Sequence, residues 1–149
     1  MRHSRRLILL FLAVVGLAAG ACSPSAGEDV LAEPAVTVEK IAGTDLERLT
    51  LSPRAAARLG IETAAVSEED VAGEQRLVIP YAAVLYDEKG NAWAYTNPQA
   101  LVFIRAAITV EIIASDRAIL TAGPAVGTRV VTVGVAELHG VEAGVGGGH

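Results

Sequence analysis

The run Leu101-Val102-Phe103-Ile104-Arg105-Ala106-Ala107-Ile108-Thr109-Val110-Glu111-Ile112-Ile113 decides the fold. Its even positions, Val102, Ile104, Ala106, Ile108, Val110 and Ile112, are all apolar, and its odd positions include Arg105, Thr109 and Glu111. Apolar residues at every second position are the pattern of a half-buried strand. The run therefore predicts one long strand, one face on a core and the other toward solvent or a partner. It lies in the block Leu77–Gly134, which holds most of the β-branched and aromatic residues outside the first twenty positions.

Outward from this run the signals stay short. Asp87-Glu88-Lys89-Gly90-Asn91 predicts a hairpin turn, Gly90 supplying positive φ, between Ala83–Tyr86 and a returning strand Ala92–Thr96 that carries Trp93 and Tyr95 on one face. Asn97-Pro98 and Ser115-Asp116 predict further turns, Ala118–Leu120 and Thr128–Val133 strands, and Gly123–Gly127 a loop. Ala136–Leu138 suits a helical turn, and the chain from 141, ending Gly146-Gly147-Gly148-His149, is expected to be disordered. Upstream, Leu77–Ile79 reads as a strand stopped by Pro80, and Glu68-Glu69-Asp70 as a solvated loop. Ser52-Pro53 opens a helix that closes at Leu59-Gly60, because serine caps, proline fits the first helical position and glycine takes the left-handed cap. Ala35–Ile41 suggests another strand, and Leu46, Leu49 and Leu51 a further strand or the approach to the helix. Strands joined by short turns predict a mainly β fold: a small antiparallel β-barrel or sandwich with one short helix, over residues 35–140.

The N-terminal segment 1–21 reads as an export signal. Arg2, Arg5 and Arg6 precede the apolar run Leu7–Ala19, and small residues lead to Cys22, the only cysteine. Leu17-Ala18-Ala19-Gly20-Ala21-Cys22 resembles a bacterial lipobox, which makes Cys22 the expected lipidation site. An ordinary cleaved signal and a short uncleaved anchor are the other readings. Residues 22–34, with Pro24, Gly27 and Pro34, read as a tether. Without those three arginines, 9 of the 12 basic residues stand against 17 acidic ones, a formal net charge of 9 − 17 = −8. That balance argues against nucleic acid and against electrostatic docking on anionic lipid.

The order and spacing of Ile79-Pro80, Ala83-Val84, Gly90, Trp93-Ala94-Tyr95, Phe103–Ile108, Gly123, Val126-Gly127, Val130-Val131, Gly134, Leu138 and Gly140 resembles the C-terminal, membrane-proximal part of the periplasmic adaptor subunits of RND efflux pumps, the membrane fusion proteins. Gly123 to Val131 matches the family's Gly-x-x-x-Gly-x-x-Val-Val piece. Leu51-Ser52-Pro53 to Leu59-Gly60-Ile61-Glu62-Thr63 is similar to the segment that introduces the core domains in heavy-metal-type adaptors. The resemblance covers about two thirds of the chain after the signal. It implies an inner-membrane RND transporter or a full-length adaptor as partner. A full adaptor also has a lipoyl-like domain and a long helical hairpin, and between Val66 and Leu77 there is room for neither. The family's copper and silver adaptors bind through methionines, and the only methionine here is Met1.

Gly-x-Ser-x-Gly, His-Glu-x-x-His and P-loop motifs do not occur, so an enzyme is not expected, and no cofactor is implied. Gly144-Val145-Gly146 lacks the strand-to-helix context of a dinucleotide site. Glu137, His139, Glu142 and His149 are weak candidates for metal ligands. Arg105 and Glu111 are candidates for pairing with each other or with a partner, and the simpler reading of Arg105 is a solvated edge charge that discourages strand-to-strand aggregation. Trp93 and Tyr95 suit hairpin packing better than a ligand platform. The expectation is a lipid-anchored lipoprotein on the periplasmic side of the cell envelope, an adaptor-like component of an RND-type efflux system acting by protein–protein contact. The alternative is a free-standing envelope lipoprotein that binds a metal ion or small ligand.

Overall fold

The computed structural model describes residues 34–144. The signal, the tether up to Glu33, Cys22 and His149 lie outside the described residues. Eleven strands follow in order: β1 (Val36–Lys40), β2 (Glu47–Leu51), β3 (Glu62–Ala65), β4 (Ser67–Val71), β5 (Glu74–Pro80), β6 (Leu85–Tyr86), β7 (Ala92–Gln99), β8 (Val102–Ala107), β9 (Thr109–Ala114), β10 (Arg117–Ala122) and β11 (Arg129–Val133). Helix α1 (Pro53–Leu59) stands between β2 and β3, and helix α2 (Val135–Glu142) follows β11. A large sheet runs β1-β2-β8-β7-β11-β3, with β6 also on β7, and a small sheet runs β4-β5-β10-β9. Every pairing is antiparallel. The chain is thus mainly β, as its short turns indicated. The sheets are not closed into a barrel but share a core as a small sandwich.

Two apolar cores hold these layers. One lies between the sheets and contains Val66, Ile79, Ala83, Ala94, Ile108, Ala118, Leu120 and Val130. The other lies on the opposite face of the large sheet, where Leu49, Leu51, Tyr95, Phe103, Val131 and Leu138 meet the apolar sides of α1 and α2. The short helix forms as expected: Ser52 Oγ accepts from Ala55 N at 3.2 Å and Gly60 caps at φ 61°.

The run Leu101–Ile113 is not one strand. It divides at Ile108 into β8, in the large sheet, and β9, in the small one. Alternation crosses the break because Ala106, Ile108 and Val110 all turn toward the space between the sheets, where Ile108 is buried. Side-chain period reports the buried face and not the strand that accepts the hydrogen bonds. It then fails at Ile112, which is 53% exposed. Val110 pairs with Leu120 but Ile112 with Ile119, so Glu111 is an extra bulged residue and the strand changes face beyond it.

Other expectations need correction. Glu68-Glu69-Asp70 is not a loop but the middle of β4, tolerated there because β4 is an edge. The turn follows at Ala72-Gly73, both with positive φ. Asn97-Pro98 lies within β7, at a register shift between Thr96 and Gln99, where proline does not interrupt the ladder. Asn97 Nδ2 donates across this irregularity to Gln99 O at 2.6 Å and Val102 O at 2.9 Å. The folded unit does not stop at 140: Val141 and Glu142 belong to α2, because α2 docks its apolar side on the second core.

Candidate functional site

The side chains of greatest chemical interest gather where the β6–β7 hairpin, β8 and α2 meet. In the hairpin the Asp87 carboxylate accepts from Lys89 N at 2.9 Å, Asn91 N and Asn91 Nδ2 at 2.8 Å, and the Trp93 indole Nε1 at 3.0 Å. These donors, the Asn91 side chain foremost, hold the Asp87 carboxyl well below the usual carboxylate range. Trp93 and Tyr95 share a face of β7 by alternation, and Arg105 of β8 stands opposite Tyr95 in the ladder. Helix α2 crosses that face. It starts at Gly134 with φ 95°, a backbone conformation that favours glycine, and a Cβ there would also push Ile61 Cδ1 aside. One turn apart, Leu138 and Glu142 then face the sheet together.

Glu142 is clasped from two sides. Arg105 Nε lies 3.1 Å from Oε1, an ion-pair distance at which the N–H is not aimed well enough for a hydrogen bond. The Tyr95 hydroxyl donates to Oε2. The Glu142 side chain is 7% exposed and that of Arg105 17%. The Arg105 guanidinium also lies over the Trp93 ring, 4.5 Å from its centroid. Burial, then the hydrogen bond to Glu142, pushes the Tyr95 hydroxyl far above its ordinary pKa, so it remains a donor. His139 Nδ1, on the same helix, is buried with no hydrogen-bond partner. Beside this clasp opens a cleft of about 420 Å³ between the hairpin and α2, with Asp45, Glu88, Lys89, Trp93, Arg105 and His139 among its walls. A fixed guanidinium, an aromatic ring and unpaired polar groups around such a volume can hold a small polar ligand.

The second feature is the outer boundary of the small sheet. Strand β4, one edge, carries Glu68, Glu69 and Asp70 in succession. Strand β9, the other edge, carries Ile112 and Ile113, the latter 37% exposed, and neither lysine nor proline. Charged residues and prolines are the usual protection of a free edge, and here only Glu111 interrupts the apolar residues.

Arg105 is not a solvated edge charge, since its side chain is 17% exposed, and the structure separates it from Glu111. Arg105 binds Glu142, whereas Glu111 lies 2.6 Å from Arg76 Nε, across the small sheet. Arg76 also binds Glu74, and Arg117 pairs with Glu69 at 2.6 Å. Trp93 and Tyr95 do pack as expected, but they also form the wall and the floor of the polar cluster. Among the described residues no group of three or more His, Cys, Asp or Glu side chains comes together to hold a metal ion. His139 and Glu142 share α2, but Glu142 is committed to Arg105 and Tyr95. The sequence reading missed the Glu142 clasp, although the four-residue spacing of Leu138 and Glu142 was an available signal.

No protein-family model, curated protein or solved structure matches this chain.

Proposed function

We propose that this chain is a lipid-anchored component on the periplasmic side of the cell envelope that works by protein–protein contact, as an adaptor-like partner of an RND-type efflux transporter or of a full-length adaptor. The observation that carries the contact is the β9 edge: a strand with no neighbour on one side among the described residues, with Ile112 and Ile113 exposed and Glu111 its one charged residue, where β4 carries three in succession. Such an edge accepts a further strand, backbone hydrogen bonds giving affinity and alternate side chains giving specificity. The adaptor-like pattern from Ile79 to Gly140 supports the choice of partner, and the lipobox-like Leu17–Cys22 segment supports the anchor. A multiply acylated cysteine would hold the domain at the membrane without basic charge.

Photo-crosslinking from position 112 in intact cells tests both halves. The expected product joins this chain to an RND transporter or adaptor subunit and disappears in Ile113→Lys. A crosslink pattern without either partner, or one unchanged by that substitution, rules the reading out. Labelling with a palmitate analogue is expected in the wild type and not in Cys22→Ala.

A further inference from the structure

The cleft between the β6–β7 hairpin and α2 has a charge pattern that suits neither a simple anion nor a simple cation. Arg105 is held by Glu142 through Nε and lies against Trp93, and neither of its two Nη groups makes a hydrogen bond with a described residue. The outer side of the guanidinium fork is thus positioned but unpaired, the geometry that takes a carboxylate through two parallel N–H bonds. Lys89 adds a second positive charge on the rim. Asp45 and Glu88, both exposed, line the same cleft and make no ion pair with a described residue, whereas Asp87 is fully occupied by its four N–H donors. A lone anion would meet Asp45 and Glu88, and a lone cation would meet Arg105 and Lys89. A molecule with both charges at opposite ends meets a complement at each. About 420 Å³ accommodates a molecule of dipeptide size.

We propose that this cleft binds a small zwitterion, a free amino acid or short peptide, its carboxylate on Arg105 Nη1 and Nη2 and its ammonium toward Asp45 and Glu88. The proposal does not depend on the contact at β9.

Trp93 is the only tryptophan, so its emission reports the site directly. L-alanine and L-alanyl-L-alanine are titrated into the full chain in detergent, beside the N-acetyl and C-terminal amide forms of the dipeptide. At least one zwitterion is expected to change the emission saturably, with each blocked form weaker by about tenfold or more, a difference of about 1.4 kcal/mol. Arg105→Lys keeps the charge but loses the fork, and is expected to weaken binding about tenfold. Because Arg105 also holds α2, the exposed double variant Asp45→Asn/Glu88→Gln provides the second arm, with the zwitterion weakened several-fold and thermal stability unchanged. Absence of a saturable change with both zwitterions overturns the proposal. So does equal binding of a blocked form, or unaltered binding by the rim variant.

Discussion

The two faces of the large sheet are built differently, and neighbouring residues show it. Ala94 and Val130 point into the core between the sheets, while Tyr95 and Val131, next in sequence, point into the core beneath the helices. The first core is wholly apolar and is filled by small and branched side chains. The second combines apolar packing with the largely buried polar group Tyr95–Glu142–Arg105. Sheet-on-sheet contact follows from volume alone, because antiparallel ladders already fix the strands in register. Helix α2, of eight residues, has no ladder to fix it and is too short to be stable by itself. The clasp gives α2 a defined position, and with it the back wall of the cleft.

The strongest test of that difference is Glu142→Ala. It leaves the Arg105 guanidinium without its counter-charge and the Tyr95 hydroxyl without its acceptor, and should destabilise the fold by about 3–5 kcal/mol. Replacing both charges together, Arg105→Met with Glu142→Leu, should recover most of that loss, because the desolvation cost of the pair disappears with its attraction. Urea unfolding followed by Trp93 emission measures both. If the single and double variants lose the same amount, the clasp acts by packing and the two faces do not differ in kind.

A matched pair of deletions sharpens the comparison. Leu120 in the core between the sheets and Leu138 in the core under the helices are both buried, and each change to alanine removes the same atoms. Each should cost about 3 kcal/mol. Their local consequences should separate: Leu138→Ala should speed amide exchange in α2 while β10 stays protected, and Leu120→Ala should not. Equal loosening of α2 in both would show that the helix depends on the whole sandwich and not on its own face.

The parts of this architecture that depend on local chemistry were legible in the sequence. Ser52-Pro53 and Gly60 bound α1 because capping is decided within one turn, and Gly90 marks its hairpin because a positive φ is a single-residue requirement. The division of Leu101–Ile113 was not legible, since Ile108 keeps the alternation while the chain passes to another sheet. Nor was the exposure of Ile112, which depends on the Glu111 bulge and hence on β10. The clasp was hidden for a similar reason. Arg105 and Glu142 are far apart in sequence, and the nearer Glu111 offered a plausible partner that the bulge turns toward Arg76. Pairings between distant elements carry no local pattern, and most of the candidate cleft consists of them.

The smallest expected effect lies at the solvent end of the polar face, at Asp87. The Asn91 side chain, the Trp93 indole and the backbone N–H groups of Asn91 and Lys89 lower its folded pKa below that of the unfolded chain. A carboxyl shifted in this direction contributes stability that is fully present above its unfolded pKa, about 4, and is lost as pH falls through the lower folded value. The wild type should therefore weaken as pH drops below about 4, while Asp87→Asn, already less stable at neutral pH, should weaken with a shallower slope. The emission of Trp93 should shift in that variant at neutral pH, because its indole N–H loses a charged acceptor. The exposed hairpin makes the effect on stability smaller than that of Glu142, whose side chain is 7% exposed and whose partner Tyr95 is buried. Parallel acid limbs in wild type and variant would assign the acid sensitivity to other carboxylates, and the polar face would then end at the buried clasp.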